Sequence, residues 1–266
     1  MYYPIQIPYI LNKPFAESVR YTEEIVPRFQ DFVICLWEMR PLPGQAAGAG
    51  NYVENVIAAD GCIDLVVDFA EKQIGYAGIS KTHSDFMKPG CHMGARLKPG
   101  AFCTLTGIPA TEAMDAFLPI NEADKNFDVH SFFELPFHEA KIFFRNYIGA
   151  LIGGRKPDRF TSLFDRFSLD IPAWTTEVYE DLHCSPKQCQ RLFYKHFGLS
   201  PKTSLSIIRF QKCLEIIASG KASPNDVLAM LNFHDQSHFI NDFKKNIGLT
   251  PLELTRKWYP CKTGVP

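Results

Sequence analysis

The stretch RLFYKHFGLSP (Arg191–Pro201) returns later in the chain as NDFKKNIGLTP (Asn241–Pro251). Five residues recur at a constant offset of 50 positions. They are Phe193, Lys195, Gly198, Leu199 and Pro201, which return as Phe243, Lys245, Gly248, Leu249 and Pro251. Self-similarity at a fixed offset indicates that one supersecondary unit is present twice. This repeat decides the predicted fold of the C-terminal half.

Each copy of the repeat predicts a helix with defined ends. Ser185 suits the N-cap position and Pro186 the first helical position. Gly198 can adopt the left-handed conformation that ends a helix. We therefore predict one helix over about 186–197 and its counterpart over about 235–246.

The segments between and before these helices complete the motif. Ser200 should begin a long helix that reaches about Ser219. A short helix should start at Ser223, Asn232 can end it, and Asp235 can cap the next helix. A short helix, a tight turn and a helix with a polar outer face form a helix-turn-helix motif, so the pattern predicts two of them joined by one long helix.

The polar faces of the two repeated helices indicate nucleic-acid binding. A major groove admits one α-helix, in which Arg and Lys suit guanine while Gln and Asn suit adenine. Lysines toward the helix ends, at Lys195, Lys244 and Lys245, suit phosphates. Two such helices on one rigid rod can read groove segments about 34 Å apart. Two alternatives remain open here: a helical bundle with ordinary solvated faces, and a surface that docks another protein.

The charge distribution agrees with a nucleic-acid module in the second half. The 266 residues carry 28 Lys and Arg against 29 Asp and Glu. Residues 1–160 hold 15 basic and 19 acidic residues, whereas residues 161–266 hold 13 basic and 10 acidic ones. Charge asymmetry of this sign is typical of a basic DNA-binding part, although a solvated charged face produces it equally well.

The first 120 residues have a β-rich pattern. Short apolar and β-branched runs at 32–37, 53–58, 62–69, 74–79 and 92–97 are separated by glycine and proline. Many short strands predict a sandwich or barrel. Residues 41–50 predict a loop between two of these strands.

Beyond Pro136 the apolar period becomes helical, which predicts a helix over His138–Ile152, closed by Gly153. This helix can join the two halves or pair subunits. We therefore predict an α+β protein. Residues 1–154 should form a β-rich effector-sensing or dimerising domain with its linker helix, and residues 155–266 an all-α domain with two helix-turn-helix motifs.

The repeated segments resemble the AraC/XylS family of transcription regulators. SPKQCQRLFYKHFGLSP resembles the family's first motif, and NFHDQSHFINDFKKNIGLTP resembles its more specific second signature. The resemblance implies sequence-specific binding of double-stranded DNA, and it implies RNA polymerase as a partner. Carried over position by position, it implies base contacts by Lys187, Gln190, Arg191, Gln236, Ser237 and Asn241, in addition to the three lysines above.

Some positions depart from the family pattern. Asn241 stands where the family has Arg, and Asn232 stands where it has Gly. Tyr179 and Leu228 replace small residues of the scaffold helices. These departures imply that the second motif binds weakly or mainly through phosphates.

The N-terminal half resembles the sensor domain found on a subset of these regulators, through AADGCIDLVVDF (Ala58–Phe69) and GARLKPGAFCTLTGIPA (Gly94–Ala110). We expect a small-molecule effector there, with Trp37 and Tyr52 lining an apolar pocket and Arg96 anchoring an acidic group. Core packing and an internal ion pair are the respective alternatives. We also expect a homodimer.

The cysteines and carboxylates carry weaker hypotheses. The alternative function is a cysteine-dependent enzyme, with Cys62 or Cys91 as nucleophile, or a thiol or metal sensor fused to a DNA-targeting module. Asp64 and Asp68 should share one face of a strand, where solvent is the expected neighbour. The spacing of Cys and His is unlike that of metal ligands. We expect no enzyme activity, no cofactor and no metal.

The location follows from the same composition. Eight scattered cysteines without a Cys-x-x-Cys pair fit a reducing cytoplasm. No run of about 18 apolar residues predicts a membrane span. We expect a cytoplasmic protein without a membrane partner.

Overall fold

The computed structural model describes residues 1–5, 19–42, 57–78, 90–219 and 236–257. Its described strands form one antiparallel sheet in the order β1-β2-β5-β3-β4-β6. The strands are β1 (Val19–Glu24), β2 (Val33–Pro41), β3 (Ile63–Asp68), β4 (Gln73–Ala77), β5 (His92–Leu97) and β6 (Phe117–Pro119).

Most helices follow the last strand, and helices are the regular elements of the described part of the C-terminal half. In the N-terminal half they are α1 (Ala101–Thr106), α2 (Ile120–Ala123), α3 (Val129–Glu134) and α4 (Phe137–Ile152), with 3₁₀ turns at Pro27–Phe29 and Ala110–Ala113. In the C-terminal half they are α5 (Leu163–Leu169), α6 (Thr175–Asp181), α7 (Pro186–Phe197), α8 (Pro201–Ala218), α9 (Gln236–Ile247) and α10 (Pro251–Lys257).

The predicted α+β class is confirmed, with the sheet first and the helical half second. The strands predicted at 32–37, 62–69, 74–79 and 92–97 correspond to β2, β3, β4 and β5. The strand predicted at 53–58 and most of the loop predicted at 41–50 lie outside the described residues. The described strands form a single sheet, so they do not by themselves make the two layers of a sandwich.

Several elements of the N-terminal half were not predicted, namely β1, β6, α1, α2 and α3. Strand β1 pairs along its whole length with β2, from Val19 opposite Pro41 to Glu24 opposite Leu36. Helix α1 begins after Gly100, whose φ of 86° is left-handed, and ends at Gly107, whose φ of 76° is also left-handed. Pro and Gly before this helix indicated a turn, and six residues are too short for a helical period to stand out.

One hydrophobic core runs from the sheet into the C-terminal half. The ring of Phe102 on α1 packs edge-on against Tyr76 of β4, with 4.9 Å between centroids. The same cluster of buried residues includes Phe164 of α5 and Phe197 of α7, whose centroids are 5.2 Å apart. One continuous core therefore contains residues from both sides of the predicted boundary near residue 154. The division into two domains stays a prediction.

A second core belongs to the end of the chain. Phe210 and Leu214 of α8 pack with Phe239 and Phe243 of α9, and the rings of Phe210 and Phe243 are 5.0 Å apart. Helix α8 contributes to both cores, because its residues Ile207 and Ile208 belong to the first. It therefore connects the two repeated units, as the sequence predicted.

Candidate nucleic-acid interface

Helix α7 has the ends that its sequence predicts. The Ser185 hydroxyl accepts a hydrogen bond from the backbone N–H of Gln188 at 3.3 Å, and Pro186 occupies the first turn. Gly198 ends the helix with a φ of 66°, in the left-handed region that suits glycine. The helix is therefore set by local chemistry at both ends.

The two faces of α7 have different environments. Cys189, Phe193 and Phe197 are buried in the first core. Lys187 and Arg191, one turn apart, lie on the exposed face. The helical period of 3.6 residues separates these sets. All four residues predicted to contact DNA from this helix are exposed: Lys187, Gln190, Arg191 and Lys195.

Helix α8 is the rod between the repeated units. The Ser200 hydroxyl accepts a hydrogen bond from the N–H of Thr203 at 3.1 Å, which caps the helix as predicted. Its 18 residues span about 27 Å at 1.5 Å per residue. This length approaches the pitch of a DNA turn, so the rod can hold two surfaces at a spacing suited to successive groove segments.

Helix α9 repeats the design of α7. Phe239, Phe243 and Ile247 are buried, and Gly248 follows with a φ of 76°. Thr250 and Glu253 exchange hydrogen bonds that cap α10. All five residues predicted to contact DNA here are exposed: Gln236, Ser237, Asn241, Lys244 and Lys245.

Some predicted features of the second motif lie outside the described residues. These are the short helix from Ser223, the helix end at Asn232, the cap at Asp235 and the scaffold position Leu228. At the scaffold position of the first motif, Tyr179 on α6 is half-buried and packs against the first core.

The cations of the two exposed faces are available for external anions. Across the described residues, no carboxylate lies within 4.0 Å of the five charged groups, Lys187, Arg191, Lys195, Lys244 and Lys245, as an ion-pair partner. The one acid within α9, Asp242, accepts a hydrogen bond from the Ser206 hydroxyl of α8 at 2.8 Å. The faces therefore present positive charge and amide groups, the set that DNA-binding helices use.

The proposed effector anchor, Arg96, lies in an internal cluster of acids. Its Nη1 donates to Glu23 at 3.0 Å, its Nη2 donates to the Tyr21 hydroxyl at 3.3 Å, and its Nε lies 3.6 Å from a carboxylate oxygen of Asp64. The side chain is 5% exposed. This geometry favours the internal ion-pair role that the sequence left open, and effector binding by Arg96 stays a prediction.

Burial and the Arg96 charge act in opposite directions on the pKa values of the acids in this cluster. Burial and then the charge of Asp64 raise the pKa of Asp60 to about 6, against the opposing effect of Arg96. Burial also raises the pKa of Asp64. Burial acts on Glu23 in the same direction, but the Arg96 guanidinium and three hydrogen bonds outweigh it and lower the pKa of that carboxyl.

The other predicted effector residues fall in different places. Trp37 is buried and donates from Nε1 to the Asp64 carboxylate at 2.8 Å. Tyr52 lies outside the described residues. Asp64 and Asp68 do share one face of β3, as predicted. Each has a protein partner there instead of solvent alone, since Asp68 lies 3.3 Å from His92.

A groove that sequence reasoning missed lies between the sheet and α4. It encloses about 570 Å³ and has an apolar floor that includes Leu36, Met93 and Phe144. Charged side chains line its rim, where Lys141 pairs with Glu38. One sequence feature indicates this groove. Ile142 at its edge is apolar but exposed, because it lies outside the buried stripe of α4.

The thiol and metal alternatives gain no support from the described residues. Burial raises the pKa of the Cys91 thiol, and burial with the charge of Asp60 raises that of Cys62 well above its usual range. A nucleophilic cysteine requires the opposite shift. The described residues contain no group of three or more His, Cys, Asp or Glu side chains arranged to hold a metal ion. Among the same residues, no helix is both long and apolar enough to cross a membrane.

Comparison with known families finds one match in each half of the chain. Residues 179–257 match a family described as a helix-turn-helix domain, and residues 26–119 match a domain of unknown function, DUF6597. No curated protein matches the chain.

Solved structures with similarity to the chain include the C-terminal domain of AraT, a response regulator from Geobacillus stearothermophilus. It is 25% identical over 37% of this chain and 81% of its own, with a TM-score of 0.32. They also include ToxT from Vibrio cholerae O395, which is 10% identical over 92% of this chain and all of its own, with a TM-score of 0.43. ToxT from Vibrio cholerae strain SCE256, in a structure with a bound unsaturated fatty acid, is 10% identical over 92% of this chain and 95% of its own, with a TM-score of 0.40.

Two exposed recognition-type helices on a common rod, together with the helix-turn-helix match, define a DNA-binding transcription regulator. The helix-turn-helix domain is of the AraC type, preceded by a DUF6597 domain, and the resemblance drawn from the repeated motifs is confirmed.

Proposed function

We propose that the protein binds a specific DNA sequence by placing α7 and α9 in adjacent major-groove segments, and that an effector at the N-terminal half modulates this binding. The observation that carries the first part is the exposure of all nine predicted contact residues on two helices with buried opposite faces. Surfaces that dock proteins usually expose aromatic residues or Met, whereas these two faces offer mostly Lys, Arg, Gln and Asn, with Tyr194 as an exposed aromatic residue on α7.

The roles of the side chains follow from their chemistry. Arg191 suits bidentate contact with guanine, and Gln190 and Gln236 suit adenine. Lys195, Lys244 and Lys245 lie toward the C-terminal ends of their helices and would contact phosphates. Asn241 stands at a position where the family has Arg, so the second motif would supply less base discrimination and relatively more phosphate contact.

The test is selection of bound duplexes from a random library, followed by fluorescence anisotropy with the selected duplex. We expect affinity to fall linearly on a log–log plot against salt, with a slope no steeper than about −4 to −5 for five cations. Replacing Lys125, an exposed lysine far along the chain from either motif, with Ala should leave the slope unchanged. Absence of duplex binding at low salt would overturn the proposal.

Regulation and assembly form the second part of the proposal. A co-purified effector would be detected by native mass spectrometry, and the DUF6597 domain is where we place it. We also propose a homodimer, since Ile142 and Phe143 expose apolar surface on α4, and sedimentation velocity would report it.

Contact with RNA polymerase and a cytoplasmic location complete the proposal, and the seven free thiols among the described residues suit a reducing compartment.

A further inference from the structure

A short segment of the N-terminal half is built into the second helix-turn-helix unit. The methyl group of Ala58 is buried in the second core, where Phe210 of α8 and Phe239 of α9 also pack. The residues that follow, Asp60 to Cys62, lead directly into strand β3 of the sheet. The same few residues therefore touch both the sheet and the helix that carries the second recognition surface.

The backbone of Ala59 bonds to two helices at once. Its N–H donates to the carbonyl oxygen of Asn246 at 3.1 Å, and its carbonyl oxygen accepts from Nε2 of Gln211 at 2.9 Å. Asn246 lies in the last turn of α9, where carbonyl groups have no partner inside the helix. Ala59 thus completes the end of α9 and also holds the rod α8.

The side chains of Gln211 and Asn246, the two residues that bond to Ala59, are both buried and hydrogen-bonded. Gln211 is 4% exposed, and its Oε1 also accepts from the N–H of Ile5 at 2.8 Å. Asn246 is 1% exposed, and its Nδ2 donates to the Ser206 hydroxyl at 3.1 Å and to the Asp242 carbonyl at 2.8 Å. Buried amides are costly unless every group is paired, so this network favours one arrangement of the helices over its alternatives.

The segment also meets the sheet, because it continues into β3 at Ile63 and its Asp60 carboxylate lies near Arg96 of β5. The Asp60 carboxylate accepts from the N–H of Cys62 at 2.8 Å, and its other oxygen lies 4.0 Å from Nε of Arg96 on β5. The Asp60 carbonyl oxygen accepts from the Tyr2 hydroxyl at 2.8 Å. One end of the segment is therefore held by the sheet and the other by α8 and α9.

We propose that residues 58–62 clamp the second recognition helix to the N-terminal sheet, and that Gln211 and Asn246 are positioning residues for DNA binding. This inference rests on the proposed function. The first helix-turn-helix unit is already joined to the sheet through the shared core. Because the clamp joins the second unit to the same sheet, the spacing of the two recognition surfaces is set by the N-terminal half as well as by α8. Linking two binding surfaces raises the affinity by about 10²–10⁴, but only for duplexes whose half-site spacing lets both surfaces engage together, so a fixed spacing selects among duplexes.

The first experiment measures spacing selectivity. Affinity is compared between the selected duplex and the same duplex with 5 bp inserted between its half-sites. In Gln211→Met the ratio of the two affinities should shrink about tenfold, because a loosened second unit tolerates both spacings. The matched control is Ser204→Ala on the same helix, since Ser204 is buried and its hydroxyl has no hydrogen-bond partner among the described residues. The control should retain the wild-type ratio.

The second experiment does not depend on DNA. Hydrogen exchange followed by mass spectrometry on the full chain should show faster exchange, by about tenfold, in the peptides that cover 57–62 and 236–247 of the variant, and wild-type exchange in the sheet. Gln211→Glu serves if the Met variant does not fold. It keeps an acceptor for Ile5 and, when ionised, replaces the donor to Ala59 with a negative charge that faces the Ala59 carbonyl oxygen.

The outcomes are separable. A folded Gln211 variant with an unchanged spacing ratio, or with unchanged exchange in both peptides, overturns the clamp. If the wild-type chain binds no duplex, the proposed function fails, and the exchange experiment alone still decides whether the clamp exists.

Discussion

The two faces of α7 allow a paired prediction, in which Arg191→Ala changes DNA binding and Phe193→Ala changes stability. Arg191 is exposed and forms no ion pair or hydrogen bond with a described residue, so its removal should alter the free energy of unfolding by no more than about 0.5 kcal/mol. Phe193 is fully buried, and its ring centroid lies 5.0 Å from that of Phe197. Truncating a buried Phe costs about 3–5 kcal/mol.

DNA binding should respond in the opposite order, with the larger loss of affinity in Arg191→Ala and the smaller loss in Phe193→Ala. If Arg191 contacts a base, its loss costs about 1–3 kcal/mol of binding free energy. At 1.4 kcal/mol per tenfold, the affinity falls about 5- to 140-fold. The preference at one base pair of the selected site should relax at the same time. The folded fraction of Phe193→Ala should bind with nearly the wild-type affinity, because no atom of that ring reaches the exposed face.

The assay combines urea unfolding, followed by circular dichroism, with fluorescence anisotropy on a selected duplex. Matched single-base variants of the duplex identify the position that Arg191 reads. The assigned role of Arg191 is refuted if Arg191→Ala lowers stability by more than about 1 kcal/mol. It is equally refuted if that variant binds every duplex with wild-type affinity.

Three further predictions concern phosphates, protons and the helix end. Replacing Lys244 and Lys245 together with Ala should reduce the salt slope of binding by about 2, as measured by anisotropy at several salt concentrations. Because the folded-state pKa of Asp60 is raised to about 6, its ionisation costs the folded state stability as pH rises from about 4 to 6. The Asp60→Asn variant does not suffer this loss. The difference in unfolding free energy between the variant and wild type, measured in urea titrations, should therefore shift in favour of the variant by up to about 3 kcal/mol between pH 4 and pH 7. Gly198→Ala should cost about 1–2 kcal/mol in the same titrations, since the φ of 66° there strains any residue with a Cβ.

Each of these predictions has an outcome that contradicts it. An unchanged salt slope would remove the two lysines from the phosphate contacts. A stability difference between wild type and Asp60→Asn that does not vary with pH would show that Asp60 titrates as in the unfolded chain. Wild-type stability of Gly198→Ala would mean that the helix ends in another conformation.

Local chemistry made the helix-turn-helix units predictable. Ser185, Pro186 and Gly198 act through their own backbone neighbours, and the apolar period of each helix selects its buried face. The exposure of Arg191 and Gln236 follows from the same period. These features depend on residues within one turn of each other, which a single sequence displays.

Contacts between distant residues could not be predicted in this way. Ala59 and Asn246 are far apart in the chain, and their contact uses backbone atoms that any residue type provides. Arg96 meets Glu23 and Asp64 only because β1, β2, β3 and β5 are neighbours in the sheet order, which the strand pattern does not specify. The continuous core between the two halves has the same origin.

Hydroxyl-radical footprinting of the wild-type chain on a selected duplex would report directly how many groove segments the protein occupies. Docking of α7 and α9 together predicts two protected tracts on one face of the duplex, centred about 10 bp apart, with the tract of the second motif weakened by the Lys244 and Lys245 substitutions. A single protected tract, or two tracts on opposite faces of the duplex, would contradict it.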